Sequence, residues 1–228
     1  MTATTPPQRY GRLSISLHWL MLLLIAAVYA LMELRGWFPR GSATREAMKH
    51  WHYMLGLSVL ALVFVRIAAR FLSTTPAVVP APSAPQAWAA KLVHVALYAL
   101  MIGLPLVGWM ILSAEGDAVP FFGLELPPLR APDKAAVESL EDLHELGGKI
   151  GYALIGLHAL AALFHHYVQK DNTLRRMLPG RDCGTRAAAG RLSRGIRAAG
   201  RRCRARRGRR GDRAATRRRW RGRGRAGR

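Results

Sequence analysis

Cysteine is almost missing: 228 residues hold two, Cys183 and Cys203, both near the C-terminal end. Neither belongs to a C-x-x-C or C-x-x-C-H pattern, which argues against a zinc site, an iron–sulfur centre and a covalently attached haem. Nothing supports a structural disulfide. Acids are scarce too, 13 Asp and Glu against 35 Lys and Arg. None lies in the middle of a long apolar run, where di-iron or zinc-type sites in helical bundles would need carboxylates and clustered ligands. No cleavable signal peptide is expected, because the first apolar run is about twenty residues long and lacks a small-residue cleavage site.

The net charge of +22 conceals a split. From Arg175 to Arg228 there are 22 Arg and two acids, a balance of +20, which leaves +2 for residues 1–174. The whole-chain mean hydropathy of +0.05 hides the same division. From Gly180 onward the chain is mostly Arg, Gly and Ala with few large apolar residues, too few to bury a core, and it reads as a disordered basic tail. Arg/Gly runs attract phosphate, but no nucleic-acid partner is expected. The division into domains is therefore 1–179, a transmembrane body, and 180–228, the tail.

Four stretches are long and apolar enough to cross a bilayer, at about 15–34, 51–71, 90–112 and 143–168. Unsatisfied backbone cannot face lipid, so all four are predicted to be helices in a bundle. The fold class is all-α, an integral membrane four-helix bundle. Residues 35–50 read as a short basic connection. Residues 72–89 contain Pro76, Pro80, Pro82 and Pro85 and read as extended. Residues 113–142 form the longest loop, with a short surface helix over 133–142. Pro105 and Gly108 are expected to kink the third span.

The fourth span carries the densest chemistry. It holds His144, His158, His165 and His166, half of the chain's eight histidines. Ionisable groups in hydrocarbon are costly and mark functional sites. His144 and His158 are fourteen residues apart. That is about 40° short of four helical turns, so both face one way, roughly 21 Å apart along the axis. Gly147, Gly148 and Gly151 lie on or near that face, where missing side chains would let a large flat ligand approach.

Topology then decides which histidines can meet. Arg9, Arg12, Arg70, Lys91, Lys170 and Arg175 fall on one side with both termini, and the Lys/Arg rule makes that side cytoplasmic. His18 begins the first span inside; His52 begins the second outside. The pairs are His52 with His144 and His18 with His158. Two neutral imidazoles placed axially on an iron porphyrin give a low-spin b-type haem suited to electron transfer. Rivals exist: His94 lies at inner depth and could replace His18, while His50 faces away from His52 and His165 lies too far out.

Several stretches carry a resemblance. They are R-L-S-I-S-L-H-W from Arg12, M-E-L-R-G-W-F-P-R from Met32, W-H-Y-M-L-G from Trp51 and V-R-I-A-A-R from Val65. The third span adds H-V-A-L-Y and L-P-L-V-G, and the run from Ile150 to Pro179 is the most specific. Over residues 8–180 the chain resembles the bacterial cytochrome b561 family, in its short four-helix dihaem form that acts as superoxide oxidase. The resemblance implies two haem b groups, with haem-iron ligands at His18, His52, His144 and His158. It implies an oxidoreductase of the inner membrane that takes electrons from periplasmic superoxide and gives them to ubiquinone.

Two clusters fit that activity. Arg35, Arg40, Arg45 and Lys49, beside His52, would attract a small anion and raise its encounter rate. Ser16, Trp19, Arg66 and His165 would offer ubiquinone hydrogen-bond and proton donors near the inner haem. The alternative is a cytochrome b anchor subunit that carries electrons from a partner dehydrogenase or hydrogenase to quinone, so a partner redox subunit stays open.

Overall fold

The structure is a computed structural model and describes residues 9–179; the basic tail read from the sequence lies outside the described residues. Four helices form the body: α1 (Arg12–Arg35), α2 (Ala43–Phe71), α3 (Ala84–Glu115) and α4 (Lys134–Tyr167). A hairpin of two three-residue strands, β1 (Val119–Phe121) and β2 (Leu124–Leu126), joins α3 to α4. The shortest helix, α1, has 24 residues and spans roughly 36 Å, enough for a hydrocarbon core of about 30 Å. All four are long and apolar enough to cross a membrane.

The helices exceed the apolar spans, and three expectations change. The basic connection is shorter than 35–50: α2 begins at Ala43, where the Ser42 hydroxyl accepts from the Arg45 amide. Arg45 and Lys49 therefore sit in the first turns of a helix rather than in a loop. Pro85 does not exclude a helix; it lies in the first turn of α3, where its missing N–H has no partner to lose. The surface helix over 133–142 is not separate but is the start of α4, capped by Asp133, whose carboxylate accepts from the Ala135 amide. The hairpin was not anticipated. Its turn holds Phe122 at φ 48° and Gly123 at φ 86°, the paired positive φ of a tight primed turn.

Packing is inside-thin and outside-greasy, as a lipid solvent requires. The buried apolar set is small, and two clusters stand out within it: Met21 with Val59 and Val63, and Leu57 and Leu60 with Leu112 and Val119. Phe64, Leu23 and Leu160 are more than half exposed, which places apolar surface on the outside of α1, α2 and α4. Small residues let the helices close. A methyl at Gly147 would come within 2.5 Å of Leu104, and one at Gly151 would collide with the Tyr29 hydroxyl. These two glycines thus receive side chains of α3 and α1, the small-xxx-small device of membrane helices.

The two ends of the bundle differ. At the end where α1 begins and α4 finishes, residues 171–177 act as a clasp. The Tyr10 amide donates to the Arg176 carbonyl at 3.2 Å. The Trp19 indole donates to the Met177 carbonyl at 2.9 Å. The Asn172 side chain accepts from the Val79 amide and donates to the Ala77 carbonyl. At the opposite end the hairpin packs on α2 and α3 through buried Val119, and the Trp109 indole donates to the Pro127 carbonyl.

Candidate metal centres

The fold brings histidines from different helices together in two places. At the hairpin end, His52 of α2 and His144 of α4 have ring centroids 6.1 Å apart, with planes at 73°. At the clasp end, His18 of α1 and His158 of α4 are 6.3 Å apart, also at 73°. His94 of α3 joins the second group, 5.1 Å from His158. It is the nearer neighbour, but it is exposed where His18 is half-buried. His50 lies elsewhere, on a separate hollow of about 530 Å³ beside Glu46, Lys49 and Asp117.

One cavity of about 1280 Å³ borders His18, His52, His94, His144 and His158. That exceeds the usual span of small-molecule pockets. Its wall is mainly apolar, with Met21, Ile25, Leu97 and Leu104 among the lining residues. At Gly56 and Gly148 an added methyl would meet nothing within 4 Å, so both remain open backbone beside the cavity. Gly108 is different: a methyl there would come 3.3 Å from His144 Cε1, so this glycine seats the imidazole.

Hydrogen bonds prepare the rings. His52 Nδ1 lies 3.1 Å from the Val28 carbonyl. Since a carbonyl only accepts, Nδ1 carries the proton and Nε2 keeps its lone pair, the tautomer a metal needs. His144 Nδ1 is buried without a well-formed hydrogen bond; the Leu104 carbonyl lies beside it without closing one. At the clasp end the Arg66 guanidinium approaches His18 Nδ1 at 3.1 Å and the Tyr98 hydroxyl at 3.3 Å. These residues fit an iron porphyrin: facing imidazoles, an apolar wall, and open glycine backbone.

The other expected residues are more scattered. Arg45 uses its guanidinium to bind the Arg35 and Phe38 carbonyls, closing the end of α1. Lys49 lies 5.8 Å over the Tyr53 ring and borders the main cavity, as does Arg35; Arg40 is exposed. Ser16 is on an exposed face of α1, and Trp19 is engaged with Met177. His165 pairs with Asp171 at 2.5 Å. Burial alone would raise the Asp171 carboxyl, but hydrogen bonds from the Thr173 amide and His165 outweigh it and hold the group below the ordinary carboxylate range.

Sequence reading missed Asp171, Tyr98 and a tyrosine pair. Tyr29 and Tyr152 have ring centroids 4.2 Å apart; Tyr29 donates to the Gly148 carbonyl and Tyr152 to Glu33. A tyrosine in an apolar span needs a hydroxyl partner, and that was the available signal.

A bundle that crosses the membrane four times and faces histidine pairs across its interior is a membrane electron-transfer cytochrome in outline. The comparisons specify it. The family model for prokaryotic cytochrome b561 matches residues 9–180. The chain is 44% identical over 173 residues to cytochrome b561 homolog 1 of Escherichia coli strain K12, covering 76% of this chain and 98% of the relative. It is 40% identical over 172 residues to the probable superoxide oxidase CybB of Yersinia pestis, covering 75% and 97%. It is 30% identical over 173 residues to cytochrome b562 of Cereibacter sphaeroides, covering 74% and 94%. The chain belongs to the prokaryotic cytochrome b561 family, and with it to membrane-embedded, haem b-binding electron-transfer proteins of bacteria.

Proposed function

We propose that this cytochrome binds two haem b groups, one at His52 and His144 and one at His18 and His158, and works as a superoxide:ubiquinone oxidoreductase. The observation that carries it is the pair of matched imidazole sets, 6.1 and 6.3 Å apart, on one cavity. The family supports haem b, and the Yersinia relative's name supports superoxide as donor. Haem b, when bound, supplies reversible one-electron storage on iron. Two superoxide anions yield two dioxygen molecules and two electrons; ubiquinone takes both with two protons to give ubiquinol.

The chain's own residues supply attraction, orientation and protons. The hairpin end is placed in the periplasm and the clasp end, with both termini, in the cytoplasm. Arg35, Arg40, Arg45 and Lys49 gather at the hairpin end, where positive potential draws the anion toward the His52 side of the cavity. The Val28 carbonyl keeps His52 in the tautomer that presents Nε2. At the clasp end ubiquinone is placed beside His165, whose Nδ1 is held by Asp171 and which borders the cavity. That pair is suited to hand over a proton, with Ser16 and Trp19 at the same end of α1.

The test is haem stoichiometry on detergent-purified protein, followed by superoxide-driven reduction of ubiquinone. Two b-type haems per chain and ubiquinol formation are expected. One haem, or two haems with electrons accepted only from a co-purifying dehydrogenase, would replace this reading with the anchor-subunit one.

A further inference from the structure

The clasp end of the cavity holds two arginines, one part-buried and one buried, each with a buried nitrogen that has no partner among the described residues. Arg66 lies deep in α2, a span otherwise free of charge between residues 51 and 65. Its Nη1 is buried and has no hydrogen-bond partner among the described residues. Its other contacts are neutral: the Tyr98 hydroxyl and His18 Nδ1. Arg176, in the clasp, is 8% exposed, and its Nε is likewise buried without a partner. Arg176 Nη1 donates to the Pro76 carbonyl, and the guanidinium stacks 5.6 Å from the Tyr10 ring. Both arginines border the main cavity. Neither makes an ion pair among the described residues. Uncompensated charge in such surroundings is costly, and an anion at the clasp end would answer both guanidinium groups.

The contact with His18 sharpens the point. A guanidinium only donates, so His18 Nδ1 accepts here and its proton sits on Nε2. That is the reverse of the His52 tautomer. A neutral imidazole in this state cannot offer Nε2 to a metal. For His18 to ligate through Nε2, the proton must return to Nδ1, and Arg66 must then turn to another acceptor.

We propose that Arg66 and Arg176 are the carboxylate-binding end of the inner haem site, taking the two propionate groups of haem b. The proposal rests on the dihaem reading above. It moves Arg66 from the quinone to the porphyrin, because ubiquinone carries no anion that would answer two cations.

The test uses the full chain, produced under haem limitation and purified in detergent, then titrated with iron protoporphyrin IX or with its dimethyl ester. Loading is followed by Soret absorbance, and a His18→Ala variant marks the inner-site share. The wild type is expected to prefer the free acid at the inner site by about tenfold or more, the scale of hydrogen bonds to charged groups. Arg66→Gln and Arg176→Gln should each shrink that preference, and the double variant should abolish it. Arg66→Lys should keep most of it. Loading of the outer site, unchanged in every variant, reports that the bundle is folded. Equal inner-site affinity of the wild type for acid and ester overturns the proposal, and such a result would fit cations that serve a lipid phosphate instead. A preference that survives both glutamine variants overturns it as well. No porphyrin uptake by the wild type overturns the dihaem reading itself.

Discussion

At the hairpin end the rings of His52 and His144 are 6.1 Å apart; at the clasp end those of His18 and His158 are 6.3 Å apart, at the same interplanar angle. Their surroundings differ. The outer pair is dressed by backbone, with the Val28 carbonyl on His52 and the Gly108 notch around His144. The inner pair is dressed by side chains: Arg66 on His18, and the third imidazole of His94 against His158. Ring spacing follows from helix packing and is shared. Tautomer and charge follow from the second layer of residues and are not. As proposed metal sites, the hairpin-end pair would be oriented by backbone, whereas the clasp-end pair would be oriented by side chains.

The strongest way to break this comparison is to remove single rings. Replacing His52 or His144 by Ala should abolish one haem, and replacing His18 or His158 the other, read by haem stoichiometry and redox-difference spectra. One variant that loses both haems would show that the pairs are not separate sites. Next in size is the charge at the hairpin end. Lys49→Gln with Arg40→Gln should slow superoxide-driven ubiquinone reduction by about three- to tenfold at low ionic strength, with the gap closing as salt rises. Identical rates across the salt series would deny the basic cluster any role.

A smaller effect is expected at the clasp. Asp171→Asn should cost about 1.5–3 kcal/mol, the value of a hydrogen bond to a charged group, measured by thermal unfolding in detergent at pH 7. The folded carboxyl is held below its ordinary value, so its contribution is present above the unfolded pKa of about 4 and fades as pH falls through the lower folded value. Wild type and variant should therefore converge in stability at acid pH. The smallest effect expected is that of His94→Ala, which should keep both haems. Loss of the inner haem in that variant, with retention in His18→Ala, would give the ligand role to His94.

Much of the body was legible because the bilayer leaves few options. Spans of about twenty apolar residues read directly as helices, and alternating topology predicts His52 near His144 and His18 near His158, where their rings lie. Helix ends were less legible. The helical turns outside the spans, the polar stretches 43–50 and 134–142 and the short Ala- and Pro-bearing stretch 84–89, are fixed by Ser42, Asp133 and the Gln86 side chain bonding the Ser83 amide rather than by hydropathy. The hairpin was hidden because Phe122 is not a residue expected at positive φ. The partners of the site were least legible. Arg66 with Tyr98, and Tyr29 with the Gly148 carbonyl, join positions 32 and 119 residues apart on different helices. Such contacts depend on rotamers and helix rotation that periodicity does not specify.

The continuity of α4 has a mechanical consequence. Its 34 unbroken residues carry one member of each histidine pair. The separation of the two histidine pairs along that helix, about 21 Å for fourteen residues, is therefore set by helical rise within one hydrogen-bonded element and not by how the bundle sits in lipid. A thicker or thinner bilayer tilts helices or deforms around them. The helix would act as a ruler under such stress, so the span an electron would cover between the two proposed haems would stay the same in membranes of different composition, even where the two ends meet water at different depths.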